Sequence, residues 1–560
     1  MLKAFTRRTS PRHLFSQLTP NRPTPHTSSR SNSSGAYNNT KTRPLPATTK
    51  AALFLPSTIA ASLAVFVFAL LDDDEKENRF AKSLPFSLWD SPDQKIIKPQ
   101  QKEEEDMPPP QNMLPGRAGN LTKEEEAKLK ELWTATLVVF GVSSPASTPS
   151  STTTTSPPAT PAPVVESPEK KKKLGRFLSR RGKPEATPAA TTEKIANEVA
   201  AAVDTSDDKY GQTKEFKAAL ASQTPAELRE AFWSMVKHDN PDGLLLRFLR
   251  ARKWDVDKAL VMMVATMNWR SKEMNVQEVV SKGEEAYAAS PDQGFIKQLR
   301  MGKSFLHGMD KEGRPICFVR VRLHKQADQS EEALEKYTVY IMETARLMLR
   351  DPVDTAAVVF DMSGFSMANM DYAPVKYLIK CFEAHYPESL GVCLVHKAPW
   401  IFQSIWSIIR GWLDPVVASK IHFTKSVEDM EAYIPRSNIL KELGGDDDWS
   451  YTYVEPVPGE NDAMVKGAEV KEVLLRKREG QVKEFEQLTK KWVVGEENQG
   501  ARARVTEELR RGYWELDKYL RARTVYDRTG VFGEGGRLEM YKYREGKGKE
   551  VLAERFDEID

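Results

Sequence analysis

The distribution of proline distinguishes a region of this chain that cannot form a hydrophobic core from a region that can. Most of the 35 prolines among the 560 residues precede residue 210, together with long runs of Ser and Thr. Segments of this composition bury too little apolar surface to offset the conformational entropy lost on folding. We therefore expect the folded mass to begin near residue 210, and the length allows two or more domains.

The segment after residue 213 combines helical and strand periodicities. Apolar residues first recur at helical spacing, and strand-like alternation follows in four segments. These segments are KSFLHGMDKEGRPICFVRVRLH, TAAVVFDMSGF, VCLVHKAP and KIHFTKS, with the helical EEALEKYTVYIMETARLMLR between the first two. Strands that alternate with helices predict an α/β fold with a largely parallel sheet.

The charge balance and the cysteines exclude several classes of function. A net charge of +3 gives no overall electrostatic attraction to nucleic acid, so we expect no nucleic-acid partner. The three cysteines, Cys317, Cys381 and Cys393, form no CxxC pair, and buried thiols are the favoured interpretation.

Each candidate catalytic motif in the sequence lacks a required residue or spacing. MGKS at 301–304 resembles the end of a phosphate-binding loop, but Lys297 stands where the earlier glycine is required. His385 and His396 lie near acidic residues without any metal-binding spacing. We therefore predict no catalytic residue, no metal and no cofactor, and we expect that the protein is not an enzyme.

The first 71 residues contain no Asp or Glu. Residues 1–50 have the basic, hydroxyl-rich composition of a mitochondrial presequence and are expected to be disordered. Residues 51–71 form an uncharged apolar run close to the ~20 residues of a bilayer span, and acidic residues follow it. These features predict a single-pass mitochondrial membrane protein, with an endoplasmic-reticulum membrane protein or a cytosolic peripheral protein as alternatives.

Two linkers and one ordered segment follow the apolar run. Residues 72–120 and 143–212 are expected to be linkers of low complexity. Between them, residues 121–142 predict an amphipathic helix that docks on the main domain, with a capping box from Thr122 and Glu125. The basic stretch 169–183 is either a solvated linker or a contact for anionic lipid headgroups.

The stretch APWIFQSIWSIIRGWLDP at 398–415 is unusually apolar for one short helix. On a helical wheel eight of its apolar residues span an arc of about 160°, with Trp400 on the opposite side, whereas a core-facing stripe needs about 100°. The helix is either deeply buried, or something other than one packing partner covers the excess.

Five motifs in order resemble the CRAL-TRIO lipid-binding domain family, in its subgroup of fungal phosphatidylinositol transfer proteins. They are LLLRFLRARKWDVDKAL (244–260), GMDKEGRPI (308–316), VVFDMSGFS (358–366), YPESLGVCLVHKAPWIF (386–402) and LDPVVASKI (413–421). The resemblance implies an N-terminal helical subdomain at 213–275 and a domain at 276–455 whose mostly parallel sheet lines a lipid cavity. Residues 456–560 are expected to form a C-terminal helical extension, with two amphipathic helices that either pack on the domain or contact a membrane or partner.

The resemblance also implies a role for the apolar stretch. It would be a gate helix at 400–413 that closes over the cavity and opens on a membrane, with Pro399 and Gly411 as hinge residues. The residues expected to face acyl chains are Trp400, Ile401, Phe402, Ile405, Trp406, Ile408, Ile409, Trp412 and Leu413.

Four residues match the headgroup-binding positions of the family: Arg252, Lys253, Glu388 and Lys420. Cations suit a phosphodiester and mixed donors and acceptors suit inositol hydroxyls. Val417 departs from the pattern, because the family has a phosphate-contacting Thr there. Ala356 and Val358 replace hydroxyls that related proteins use for phosphatidylcholine, which predicts against that lipid.

The resulting prediction is a monomeric lipid transfer or presentation protein that exchanges one phospholipid, most favourably phosphatidylinositol, between membrane surfaces. One alternative is a lipid-sensing regulatory scaffold that recruits an enzyme of lipid metabolism. Another is a carrier of a sterol or hydrocarbon.

Overall fold

The computed structural model describes residues 114–143, Val199 and residues 208–544. The presequence-like segment 1–50, the apolar run 51–71, nearly all of the linker 72–120 and the basic stretch 169–183 lie outside the described residues.

The described part of the chain contains sixteen α-helices and five strands. The helices are α1 (Lys123–Val139), α2 (Gln212–Ser222), α3 (Pro225–Val236), α4 (Pro241–Ala251), α5 (Val256–Asn268), α6 (Val276–Ala289), α7 (Gly294–Arg300), α8 (Glu331–Met348), α9 (Tyr372–Lys380), α10 (Phe402–Arg410), α11 (Pro415–Ser419), α12 (Val427–Glu431), α13 (Asp462–Lys466), α14 (Ala468–Val493), α15 (Gln499–Leu520) and α16 (Val525–Arg528). The strands are β1 (Ser304–Met309), β2 (Pro315–Arg320), β3 (Ala356–Asp361), β4 (Leu390–His396) and β5 (Ile421–Thr424). One π-helical turn follows α5 at Trp269–Glu273, and another follows α9 at Cys381–His385.

The structure corrects the predicted localisation. None of the helices in residues 114–143 and 208–544 is long and apolar enough to cross a membrane. The longest, α14, is interrupted by charged side chains along its whole length. This finding contradicts the prediction of a single-pass mitochondrial membrane protein, and the segment 51–71 on which that prediction rested is not among the residues described.

The five strands form one mixed sheet in the order β1-β2-β3-β4-β5. Only the first pair, β1 and β2, is antiparallel, and the other three pairs are parallel. Val358 in the central strand lies opposite Cys317 on one side and Cys393 on the other. The predicted α/β fold with a largely parallel sheet is confirmed.

Successive residues of each strand point to opposite faces of the sheet, and both faces are apolar. Phe318, Val359 and Leu394 lie on the outer face, where they pack against residues 430–443. Cys317, Val358 and Cys393 lie on the inner face, which α8 and α10 cover. Burial on both faces is what a largely parallel sheet requires, since its crossover helices must cover it.

The N-terminal helices, α1 and the C-terminal extension share a second core. Trp133 of α1 is fully buried between Phe232 and Phe485, with ring centroids 5.8 and 5.6 Å away. Its indole nitrogen donates to Asp242 Oδ1 at 2.7 Å, and Arg502 of α15 also binds this carboxylate. Helix α1 begins with the predicted capping box of Thr122 and Glu125, so this helix joins the first and last parts of the described chain.

The second long helix of the tail, α15, gives way to a tertiary contact at its C-terminal end. Helix α15 stops at Leu520, and Arg521 has extended backbone. The amide of Ala522 donates to Val280 O at 3.0 Å instead of continuing the helix. A capping box of Thr524 and Asp527 then starts α16. Tertiary hydrogen bonds therefore replace helical ones at this point.

We expect Trp133→Ala to lower the free energy of unfolding by about 3–5 kcal/mol, because it leaves a cavity inside the core that α1 shares with the N-terminal helices and the C-terminal extension. Urea denaturation of the full-length protein measures the change. The exposed Lys123→Ala on the same helix is the control and should stay within about 0.5 kcal/mol of wild type. A loss below about 1 kcal/mol for Trp133→Ala would contradict the docking of α1.

Candidate functional site

A cavity of about 310 Å³ lies between the inner face of the sheet, α8, α9 and α10. Its wall is overwhelmingly apolar. The sheet contributes Cys317, Val358 and Val395, and the helices contribute residues such as Ile341 and Ile379. A cavity with this lining fits a hydrophobic ligand whose polar part is held by a few groups at the edge.

The positions that lack the family's hydroxyl groups belong to this wall. Ala356, Val358 and Val417 all line the cavity. None of these side chains can donate or accept a hydrogen bond. The cavity wall therefore presents no hydroxyl at the three positions at which the resemblance would place one.

The gate segment is shorter as a helix than the sequence predicts. Helix α10 covers Phe402–Arg410 instead of 400–413. Trp400 and Ile401 form a turn before it, with Phe402 N donating to Pro399 O at 2.9 Å. Gly411 caps the helix with ordinary right-handed backbone. Trp412 and Leu413 follow in a second turn before Asp414, the N-cap of α11.

The apolar side chains of this segment divide between two surroundings. Phe402, Ile405 and Ile409 are buried, and Trp406 and Leu413 join the cavity wall with Phe402 and Ile409. On the other side, Ile408 is 48% exposed and Trp400 is 55% exposed. The excess of the apolar arc is thus presented to solvent. Trp412 packs edge-on against Tyr372 at 5.4 Å between ring centroids.

A set of polar contacts, the clasp, holds the C-terminal end of the predicted gate segment. The carboxylate of Glu383 accepts hydrogen bonds from Lys209 Nζ, Tyr210 OH and the backbone amide of Asp414, each at 2.7 Å. Lys209 also donates to the carbonyl of Trp412. Burial and the Glu383 carboxylate raise the pKa of Tyr210, so its hydroxyl remains a donor. The chain just before α2 is thereby tied to the end of the gate.

Two of the predicted headgroup residues meet at the edge of the sheet. Lys420 Nζ lies 3.6 Å from Glu388 Oε2, and both side chains are about one-fifth exposed. Glu388 precedes β4 and Lys420 precedes β5, so both lie at the N-terminal ends of parallel strands. Arg247 holds the first position by donating to the carbonyl of Glu388 at 2.9 Å. Glu388 adopts a positive φ of 53°.

The other two headgroup candidates lie at the end of α4. Arg252 is its C-cap and donates to Gln212 Oε1 at 2.5 Å. Gln212 in turn donates to the carbonyl of Ala384 at 3.2 Å, four residues before Glu388. Lys253 follows with a φ of 51°. The structure thus links Arg252 indirectly to the segment that carries Glu388.

A polar cluster at the opposite end of the cavity was missed in the sequence. Lys303, His324 and Asp371 all line the cavity. Lys303 Nζ lies 3.0 Å from His324 Nδ1, and His324 Nε2 lies 3.4 Å from Asp371 Oδ2. Lys303 belongs to the MGKS segment that was tested only as a phosphate-binding loop. The sequence contained one signal of this cluster, which is a lysine directly before a strand of apolar residues.

The described residues contain no group of three His, Cys, Asp or Glu side chains able to hold a metal ion. The three cysteines are buried thiols, and burial raises the pKa of each to about 12. A thiol with so high a pKa is a poor nucleophile, because the thiolate is the reactive form.

Comparisons with known proteins agree with this architecture. Residues 299–445 match the model of the CRAL/TRIO domain, and residues 212–265 match that of the CRAL/TRIO N-terminal domain. CRAL-TRIO domain-containing protein C3H8.02 of Schizosaccharomyces pombe is 44% identical over 435 residues, which cover 74% of this chain and 92% of that protein. Phosphatidylinositol transfer protein CSR1 of Eremothecium gossypii is 41% identical over 440 residues, covering 75% of this chain and 99% of that protein.

Among solved structures, the crystal structure of Sfh5 is 17% identical and covers 48% of this chain and 93% of that chain, with a TM-score of 0.32. The two domain matches follow each other along the chain in the order of the helical subdomain and the sheet. Together with the two relatives that align over most of their length, they show that this chain belongs to the CRAL-TRIO family of lipid-binding proteins.

Proposed function

We propose that this protein is a non-enzymatic lipid transfer protein whose favoured cargo is phosphatidylinositol. The observation that carries the proposal is the apolar cavity beneath α10, with a cation and a carboxylate paired at the edge of the same sheet. A relative that aligns over 99% of its own length is named a phosphatidylinositol transfer protein, which supports the same cargo.

The Glu388–Lys420 pair has the chemistry that an inositol phosphate headgroup needs. The Lys420 ammonium would donate to the phosphodiester, and the Glu388 carboxylate would accept from ring hydroxyls. At 3.6 Å the two groups interact weakly, and partly exposed ion pairs contribute at most about 1 kcal/mol. A headgroup could therefore replace this contact with little loss of free energy. Arg252 and Lys253 would add positive charge, provided that Arg252 releases Gln212.

Exchange requires that α10 move away from the cavity. We propose that Pro399 and Gly411 absorb the backbone change, since they flank the helix. The exposed side chains of Trp400, Ile408 and Val416 would then meet the acyl region of a membrane. In the closed state the buried face of the helix, including Phe402, contacts the cargo.

The apolar wall favours a second candidate cargo. Because Ala356, Val358 and Val417 offer no hydrogen bond, a sterol or hydrocarbon would leave no polar group unsatisfied at these three positions of the wall. This candidate uses the same cavity and gate but not the Glu388–Lys420 pair.

The test is native mass spectrometry of lipids that co-purify with the full-length protein. We expect phosphatidylinositol with wild type, and a loss of about tenfold or more with Glu388→Ala and Lys420→Ala combined, because charged hydrogen bonds are removed. Lys311→Ala, an exposed lysine in the β1–β2 turn, is the control. Only sterol or hydrocarbon, unaffected by the double substitution, would contradict the phosphatidylinositol proposal and favour the second cargo.

Membrane docking by the gate gives a separate prediction. Combining Trp400→Asp with Ile408→Asp should lower the rate of lipid transfer between vesicles by about tenfold or more, because each charge opposes insertion into the apolar layer. The bound lipid should still co-purify. Val465→Asp, at a valine that is 80% exposed on α13, is the matched control and should transfer at the wild-type rate. Equal rates for the gate variant and the control would rule out docking through this face.

Weakening the clasp should raise the rate of lipid transfer, whereas the gate variant should lower it. Glu383→Gln removes the charge that Lys209 binds and weakens the acceptor of the Asp414 amide. We expect lipid transfer to become several-fold faster, because a partly exposed ion pair contributes at most about 1 kcal/mol to the closed state. Lys209→Met should accelerate transfer as well, since it breaks the same contact from the other side. Transfer that is unchanged or slower in both variants would contradict the clasp.

A further inference from the structure

The end of the cavity opposite the Glu388–Lys420 pair contains a buried lysine. Lys303 directly precedes β1, and its carbonyl accepts from Arg320 N at 2.8 Å at the C-terminal end of β2. Only 4% of the residue is exposed to solvent. The parallel strands begin at the Glu388–Lys420 edge and end at the Lys303 edge. A six-residue strand such as β3 spans about 20 Å, so two polar sites lie at opposite ends of one apolar space.

The Lys303 ammonium has two hydrogen-bond acceptors within the described part of the protein. Its Nζ lies 3.0 Å from His324 Nδ1 and 3.3 Å from Gln329 Oε1. An ammonium group carries three N–H donors. Between residues 208 and 544 no third acceptor contacts it. One donor therefore remains for whatever fills the cavity.

The position and protonation of His324 are both determined by its neighbours. An ammonium can only donate, so His324 Nδ1 must accept and Nε2 carries the proton that faces Asp371. Burial and the charge of Lys303 lower the pKa of His324, which keeps the ring neutral. Asn369 Nδ2 donates to the carbonyl of His324 at 3.0 Å and holds the loop in place.

The charge of Lys303 lacks a direct counter-ion. Burial lowers its pKa to about 8, so the group is still mainly protonated at neutral pH. In the described part of the chain no carboxylate forms an ion pair with it: Asp371 reaches it only through His324, and Asp328 pairs with Lys297. A buried charge without a partner is unfavourable, and an anion brought by a ligand would relieve this.

We infer that Lys303 binds the carboxylate of a long-chain fatty acid, whose hydrocarbon chain lies along the apolar wall of the cavity. This inference rests on the proposed function, because it requires that the cavity hold lipid. The remaining ammonium donor matches a carboxylate oxygen, and charge-assisted hydrogen bonds of this kind are the stronger ones. Val319, Val321 and Met370 line the same end, so the surroundings offer few further hydrogen bonds of the kind that a sugar phosphate would need.

The positive charge of Lys303 favours a fatty acid over an uncharged lipid of the same chain length. A neutral ester of the same chain would gain the apolar contacts but not the ion pair. The fatty acid should therefore bind more tightly than its methyl ester, and the difference should depend on Lys303. Phosphatidylinositol would use the other end of the cavity, so the two lipids are expected to compete for the space between.

The experiment measures binding of cis-parinaric acid and of its methyl ester to the full-length protein by fluorescence. We expect wild type to prefer the acid by about tenfold or more, as a hydrogen bond to a charged group implies. Lys303→Met, of similar length but without charge, should abolish the preference, and Lys303→Arg should retain it. Lys297→Met removes a lysine that pairs with Asp328 outside the cavity, and it should keep the wild-type preference.

Each outcome decides the inference. Equal affinity of wild type for acid and ester overturns it, and so does a preference that persists in Lys303→Met. If Lys303→Met does not fold, loss of the preference in Lys303→Arg overturns it and retention supports it. Phosphatidylinositol in the wild-type preparation is scored independently. Its absence together with a clear acid preference would reject the proposed cargo and leave the Lys303 site standing.

Discussion

The structure depends on one buried carboxylate, Glu343 of α8. It accepts from Lys237 at the end of α3, from Arg270 in the π-helical turn after α5, and from the hydroxyl of Tyr386 before β4, at 2.5, 2.8 and 2.9 Å. Burial alone would raise its pKa, but the surrounding cations hold the pKa well below its usual range. Removing one partner from such a buried cluster typically destabilises a protein by about 3–5 kcal/mol. Glu343 therefore joins the helical subdomain to the sheet.

This cluster holds part of the cavity wall through buried charged contacts, which the wall formed by α10 lacks among the described residues. Tyr386 and Arg346 both contact the cluster and line the cavity. By contrast, the C-terminal end of α10 is held largely through Glu383 and the partly exposed Lys209, an interaction that solvent weakens. Opening is thus expected at the gate, because the same rearrangement elsewhere would separate buried charges.

The sequence predicts those parts of the structure that depend on residues close together in the chain, and it does not predict contacts between distant residues. The strands and the capping box at Thr122 are local patterns, and they were predictable from spacing alone. The contact of Lys237 with Glu343 joins residues 106 positions apart, and no periodicity signals it. For the same reason Lys303 and His324 were missed, although the headgroup candidates were found by resemblance. The gate helix ended early because Gly411 and Asp414 start a new turn and helix, whereas the apolar pattern runs on.

The two ends of the cavity together constrain how any lipid can lie in it. In the proposed binding mode, a phospholipid with its headgroup at Glu388 and Lys420 would direct its acyl chains towards Lys303, where hydrocarbon would meet a buried ammonium. A fatty acid at Lys303 neutralises that charge but fills the space that the chains need. Binding of one lipid must therefore weaken binding of the other, and this coupling is reciprocal. The lysine that makes the far end unfavourable for a phospholipid tail would thus set how readily the phospholipid is released.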